Sequence, residues 1–345
     1  MHCIWRKIWT YETIQSNFRW KGDGVADESH NSERKGGGPD KVDRMKRIWV
    51  SVRNNYMLYL MLLPMLAFFI LFLYKPMGGL VIAFKDFSPF KGIAASPWVG
   101  LEHFKEFFTG PYAFRVIRNT LVISMTSLLF GFPAPIILAL LLNELRAGKF
   151  KMVVQTVSYI PHFISVVVIC GLVVNFLSPS TGIVNKIIEM FGGDPVYFLS
   201  KPQYFVPIYT IMNIWKSTGY GAIIYISALT SIPDMLYEAA TVDGAGRWKQ
   251  LLYITLPSLL PTIVIMLLIN LGNILNVGYE SIILLYSPGI YETSDVISTF
   301  IYRTGLAEGR YDYATAIGLV NSLVAFILVM TANRISNKLT DTGLW

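Results

Sequence analysis

The chain has 345 residues, of which 53% are hydrophobic and only 15% charged, with a formal net charge of +7 and a mean hydropathy of +0.48. A soluble domain of ordinary composition carries about 25% charged residues, so these values exclude a soluble globular protein and imply an integral membrane protein with several spans. Two cysteines far apart, Cys3 and Cys170, exclude a disulfide framework and a cysteine metal site.

Residues 1 to about 50 are polar, rich in Gly, Lys, Arg and Asp, and lack apolar periodicity, so they are expected to form a disordered cytoplasmic extension. No signal peptide is read there, because the first apolar run starts near Tyr56 and no small-residue cleavage site follows it. Met45 directly precedes KRIWVSVRNN, which has the composition of a cytoplasmic flank. The first 44 residues therefore read as a dispensable extension or as a matter of start-site choice. Residues 51–345 form the expected membrane domain, with its core at about 115–335.

Six spans are predicted, at residues 56–75, 117–142, 153–177, 204–229, 256–286 and 312–333, making the fold all-α. Pro133, Pro135 and Pro161 fall inside these runs and are read as helix kinks. With the N-terminus inside, eighteen Lys and Arg residues flank the spans on the cytoplasmic side and ten on the outer side. The bias favours both termini inside, although the long N-terminal segment supplies most of it. Three outer segments result, at about 76–116, 178–203 and 287–311.

Polar groups within spans are costly and usually face a bundle interior or an aqueous cavity. Asn213, Trp215, Lys216 and Tyr220 in the fourth span, Asn270, Asn273, Asn276, Tyr279 and Glu280 in the fifth, and Asn321 in the sixth are therefore candidates for a solute path. The three asparagines step by three and are expected to stay near one helix face. Amide groups and aromatic faces suit sugar hydroxyls and C–H faces, and Lys216 suits an acidic sugar. Interhelical hydrogen bonding is the structural alternative for each of them. His103 and His162 stand apart from any ligand cluster, so no metal site is read, and neither nucleic acid nor a catalytic group is indicated.

Between the fourth and fifth spans lies YEAATVDGAGRWKQLLYITLPSLLP, residues 237–261. Ser231-Ile232-Pro233-Asp234 reads as a helix start, with a serine or turn cap, proline in the first turn and an acidic residue at the positive helix end. About two helical turns follow to Val242. Gly244 and Gly246 are expected to break the helix with positive φ, and Arg247 to Leu256 to resume it before Pro257 and Pro261. Ala239 and Ala240 leave the short helix bare of bulk, and Glu238 offers a charged group. On these grounds the segment is either a lipid-lying connector or a docking element for another protein.

Glu238-Ala239-Ala240, three residues, Gly244, nine residues and Ile254-Thr255-Leu256-Pro257 match every fixed position of the EAA signature. The chain thus resembles the membrane subunits of binding-protein-dependent ABC importers. WVGLEHFKEFF (98–108), Asn119-Thr120, IPHFIS (160–165), NIWKSTGYGAIIYISALTSIP (213–233) and the later GYESIILL and DVISTFIYRTGL extend the likeness over residues 50 to 340. Within that family they are most similar to the carbohydrate permeases typified by LplB-type and alginate-importer subunits.

The resemblance implies a type I importer permease fold in a bacterial cytoplasmic (inner) membrane. It implies a coupling helix carrying Glu238, Ala239, Ala240, Asp243, Gly244, Ala245 and Arg247. The implied partners are a second permease subunit, normally a different chain, two ATP-binding subunits, an extracytoplasmic solute-binding protein, membrane lipid and an oligosaccharide cargo that could be acidic. No cofactor is expected on this chain. It lacks GxxxxGK[ST], Gly148-Lys149-Phe150 being the nearest pair, so ATP and Mg would sit on the partner ATPase. An ion-coupled secondary transporter is the rival class, and a non-sugar cargo the rival substrate.

Overall fold

The computed structural model describes residues 55–145, 148–340 and 343. The expected N-terminal extension lies outside the described residues. The chain divides into two compact units, residues 1–69 and 70–345. The described part of the first is helix α1, Tyr56–Phe68, which contains Pro64 and buries none of its residues.

Besides short helical turns, the second unit holds α2 (Glu102–Thr109), α3 (Ala113–Thr126), α4 (Pro133–Glu144), α5 (Lys149–Phe163), α6 (Val166–Phe176), α7 (Ile183–Met190), α8 (Pro202–Thr230), α9 (Asp234–Val242), α10 (Arg247–Gln250), α11 (Leu256–Gly272), α12 (Tyr279–Leu285), α13 (Tyr291–Ser294), α14 (Ile297–Tyr302) and α15 (Tyr311–Thr340). Wide turns at Ser127–Gly131 and Leu251–Thr255 join α3 to α4 and α10 to α11. Pro133 and Pro257 lie just inside the helices that follow, where a missing N–H leaves few bonds unmade. An antiparallel bridge between Lys85 and Trp98 is the β pairing among the described residues.

Four helical stretches are long and apolar enough to cross a membrane: Tyr56–Phe84, Ala113–Glu144, Arg247–Gly272 and Tyr311–Lys338. The expected third span is instead a bent pair, α5 and α6, meeting at 101°. The chain is extended at Ile164 and Ser165, and the Ser165 hydroxyl accepts from the Val168 N–H to start the new helix. The expected fourth span is α8, whose 29 residues make a helix about 43 Å long. Its polar residues keep it out of the apolar set.

The expected fifth span, drawn as one run over 256–286, is broken. Helix α11 ends at Gly272, residues 273–278 are non-helical, and α12 begins at Tyr279. Consequently Asn273 and Asn276 do not share a helix face with Asn270. Irregular backbone at membrane depth survives only where it is buried in protein or lines a cavity. Both conditions are met here. The Ser124 hydroxyl donates to the Ile274 carbonyl and the Ser298 hydroxyl donates to the Val277 carbonyl at 3.0 Å, replacing the lost helical partners.

Helix α8 is the central packing element. A side chain at Gly219 would run into the backbone of Ser158 in α5, and one at Gly221 would meet Pro135 of α4 at 3.1 Å. Small residues allow this approach, which is how apolar helices gain contact area where lipid offers no hydrophobic driving force. Cys170 is free and buried beside Met212 of α8, in a cluster with Phe205 and Ile282.

Candidate functional site

The segment between α8 and α11 is built from its ends. Ser231 does not cap α9. Its hydroxyl donates back to the Ala228 carbonyl at 2.7 Å and finishes α8. Pro233 is extended at the N-cap position, and Asp234 opens α9 beside the unsatisfied N–H groups. At the other end the Ala245 N–H reaches the Ala240 carbonyl at 2.8 Å and the Gly244 N–H the Thr241 carbonyl at 3.1 Å. This pairing requires a left-handed residue after the cap, and Gly244 supplies it at φ +76°. Gly246, expected to do the same, has φ −69° and serves as the extended residue before α10.

One face of α9 is tied to the protein. Tyr237 and Thr255 share a hydroxyl–hydroxyl hydrogen bond of 2.9 Å. The Gln250 amide donates to the Thr241 hydroxyl and to the Ala245 carbonyl, each at 3.0 Å. The other face carries Met235, Glu238, Ala239 and Val242, spaced i, i+3, i+4, i+7 as one helical stripe. All four are exposed, Met235 at 71% and Val242 at 88%. Asp243, Gly244 and Arg247 are exposed beside the stripe, whereas Ala240 and Ala245 are half-buried. Arg247 lies 3.9 Å from Glu144, the last residue of α4, with both side chains largely in the open.

The second feature is a cavity of about 400 Å³ between the α3–α4 turn, α8, the end of α11 and the broken segment. Of the candidates, Asn213, Asn270, Asn273 and Asn276 line it. Asn213, Asn270 and Asn273 each donate an amide hydrogen to the carbonyl four residues earlier, at 2.9, 2.7 and 3.3 Å. Their Oδ1 atoms make no bond in these pairings. The α8 side of the wall includes Thr210, Asn213, Ser217, Gly221 and Ile224, a stripe of helical period. Thr210 adds a buried hydroxyl with no partner. This wall of donors and acceptors over an apolar floor suits a small polar solute.

The remaining candidates lie elsewhere. Trp215, Lys216 and Tyr220 fall on other faces of α8 than the cavity stripe. Tyr220 stacks face to face on His162 at 3.9 Å, inside the bend between α5 and α6. Tyr279 and Asn321 line a second hollow, of about 650 Å³, together with Asn276. Glu280 is exposed next to Tyr279 at the start of α12.

Sequence reasoning missed Ser124, Tyr209, Thr210 and Ser217 as wall residues. The Ser124 hydroxyl bonds a carbonyl on a distant segment and the Thr210 hydroxyl makes no bond, so no local pattern marks either. It also missed the ion pairs of Asp295 and Asp312. Asp295 is fully buried and accepts from Arg115 at 3.0 Å and from Arg303 at 2.8 Å. Burial works against the Arg303 charge, but the Asp295 bonds outweigh it and hold that guanidinium above its ordinary pKa. Asp312 accepts from the Phe87 N–H at 3.0 Å and lies 3.5 Å from His103, a structural place for that histidine.

The family model for the inner membrane component of binding-protein-dependent transport systems matches residues 131–341. The polygalacturonan/rhamnogalacturonan transport system permease protein YteP of Bacillus subtilis (strain 168) is 43% identical over 305 residues, which is 88% of this chain and 95% of that protein. A bacterial ABC transporter involved in the import of the acidic polysaccharide alginate contains a chain 51% identical to this one. It superposes with a TM-score of 0.81 over 85% of this chain and 99% of its own. The same TM-score and 50% identity are found with a bacterial alginate ABC transporter in complex with an alginate pentasaccharide-bound periplasmic protein, over 86% of this chain and 100% of that one. The architecture is therefore the type I ABC importer permease fold. With both its sequence and its fold matched over most of their length, the chain belongs to the inner membrane components of binding-protein-dependent transport systems.

Proposed function

We propose that this chain is the permease subunit of an ATP-driven importer and forms part of the path for an acidic oligosaccharide. The observation that carries the reading is α9, anchored on one face by Tyr237–Thr255 and Gln250–Thr241 and presenting Met235, Glu238, Ala239 and Val242 on the other. A stripe so held is suited to receive force from another protein and pass it through α10 into α11. Two ATP-binding subunits would press on such segments, bind the ATP and Mg, and supply energy that this chain has no phosphate loop to harvest. A second permease subunit of a different sequence would complete the path, and a solute-binding protein would deliver cargo to the face remote from α9.

The substrate class rests on the relatives and on the amide-lined cavity. YteP belongs to a polygalacturonan/rhamnogalacturonan transport system and the alginate transporter imports an acidic polysaccharide. Asn213, Asn270, Asn273 and Asn276 offer hydrogen bonds to sugar hydroxyls. Both termini would lie on the cytoplasmic side, as would α9. Binding of cargo and of ATP can bias inward- and outward-open states only by differing affinity for the two.

The test is uptake of radiolabelled tri-galacturonate by proteoliposomes holding the complete transporter, with wild type compared to Gly244→Asp. A Cβ at Gly244 meets no atom within 4 Å, so the variant strains one turn by about 1–2 kcal/mol without disturbing the core. It is expected to insert normally and to lose ATP-driven uptake. Uptake that survives with unchanged ATP dependence would refute the coupling role, and uptake of neutral trisaccharides alone would refute the acidic cargo.

A further inference from the structure

At the end of the second unit remote from α9, a separate cavity of about 490 Å³ opens between the start of α3, α13, α14 and the turn leading to α15. Its position follows from the α3–α4 stretch. Glu144 at one end approaches Arg247 beside α9, and Arg115 at the other bonds Asp295. Arg115, Arg303 and Arg310 line the cavity together with Tyr112, Tyr291 and Tyr313. Each guanidinium lies over an aromatic face: Arg115 over Tyr112 at 5.1 Å, Arg303 over Tyr291 at 4.9 Å and Arg310 over Tyr313 at 4.3 Å. Stacking of this kind fixes the plane of the cation and leaves its N–H edge available.

The charges are unevenly placed. Asp295 is the shared, fully buried carboxylate of the partly exposed Arg115 and Arg303, so this triad holds one net positive charge. Arg310 is neutralised by Glu106 at 2.7 Å, and Glu308 lies exposed at the rim, where water and salt screen it. Moreover, the Arg115 side chain is 29% exposed and lines the cavity. A partly exposed guanidinium with donors beyond those that Asp295 uses can meet an incoming carboxylate.

We propose that this cavity is a binding subsite for one uronate unit of the cargo. The sugar carboxylate accepts from the Arg115 edge, and the pyranose C–H face lies on Tyr112 or Tyr291. The inference rests on the reading of the chain as an acidic-oligosaccharide permease and adds a second, outer station to it. The cavity volume falls within the range of small-ligand sites, roughly 300–1,000 Å³, and exceeds what a single carboxylate side chain of a docking protein would fill. Neutral sugars gain the ring contact but not the charge-assisted bond, so the station sorts cargo by acidity before it reaches the amide-lined cavity.

Binding of radiolabelled tri-galacturonate to the complete transporter in nanodiscs, without solute-binding protein, tests this, with maltotriose as the neutral probe. The acidic trimer is expected to bind about tenfold tighter than the neutral one. Arg115→Gln should abolish that preference, Tyr112→Ala should weaken binding of both trimers, and Asn270→Ala in the central cavity should leave the preference in place. Because Arg115 also supports Asp295, the loss of acidic-trimer affinity in Tyr112→Ala carries the test if the arginine variant proves unstable. Unchanged acidic-trimer affinity in Tyr112→Ala, or equal binding of both trimers by the wild type, overturns the subsite. Weakened docking of the solute-binding protein with trimer binding unchanged also overturns it and assigns the surface to that protein. Persistent uptake of the acidic trimer in any of these cases leaves the transport reading standing, whereas a wild type that imports only neutral trimer removes both.

Discussion

At the scale of single residues, the end of the second unit remote from α9 is organised by Asp295. Its carboxylate is fully buried, accepts from Arg115 and Arg303, and also receives the Thr299 hydroxyl at 2.9 Å. The Asn119 amide donates to its main-chain carbonyl at 3.0 Å. Removing one partner of a buried ion cluster leaves uncompensated charge, a loss of about 3–5 kcal/mol. Asp295→Ala is therefore expected to lower the thermal unfolding midpoint of the purified protein and its yield in membranes, whereas Glu106→Ala, which breaks an exposed pair, should change the midpoint little. Equal midpoints for the two variants would show that the triad adds nothing. Reading Asn119-Thr120 as part of a family-like stretch located this region. The pairing of Arg115 with Asp295 could not be read, because 180 residues separate them and no local pattern links the two.

Among the elements, α9 and the broken segment illustrate what local sequence can specify. The start and stop of α9 follow from Asp234 and Gly244, residues whose preferences are intrinsic to the backbone. Gly246 carries the same preference and does not use it, because one left-handed residue already turns the chain. The face that α9 exposes is set by Tyr237–Thr255 and by the Gln250 amide. Gln250→Ala is expected to loosen this fixing by about 0.5–1.5 kcal/mol per lost bond. The ratio of transport to ATP hydrolysis should fall with apparent sugar affinity unchanged, and simultaneous assays in proteoliposomes would check it. A fall in affinity alone would place Gln250 outside the coupling path.

Over residues 70–345, the amide-lined cavity and α9 are separate sites joined by the helix running from Arg247 to Gly272. Two classes of variant should therefore separate kinetically. Asn213→Ala combined with Asn270→Ala removes two cavity amides and is expected to raise the half-saturation concentration for uptake several-fold, each lost hydrogen bond being worth about 1 kcal/mol, with basal ATP hydrolysis unaltered. A double variant that hydrolyses less ATP without cargo but keeps its sugar affinity would contradict the assignment of these residues to the path.

Hydropathy and a contiguous motif are properties of neighbouring residues, so an all-α membrane protein, the approximate spans and the short helix α9 could be read directly from the chain. Two features could not. The unwinding of residues 273–278 and the arginine-rich cavity depend on bonds between distant segments: the Ser124 hydroxyl to the Ile274 carbonyl, Ser298 to Val277 and Asp295 to Arg115. A helical pattern of apolar residues continues through a break when side chains elsewhere satisfy the freed carbonyls. Composition alone therefore drew the fifth span as one helix, and the packed chain opened it to line a cavity.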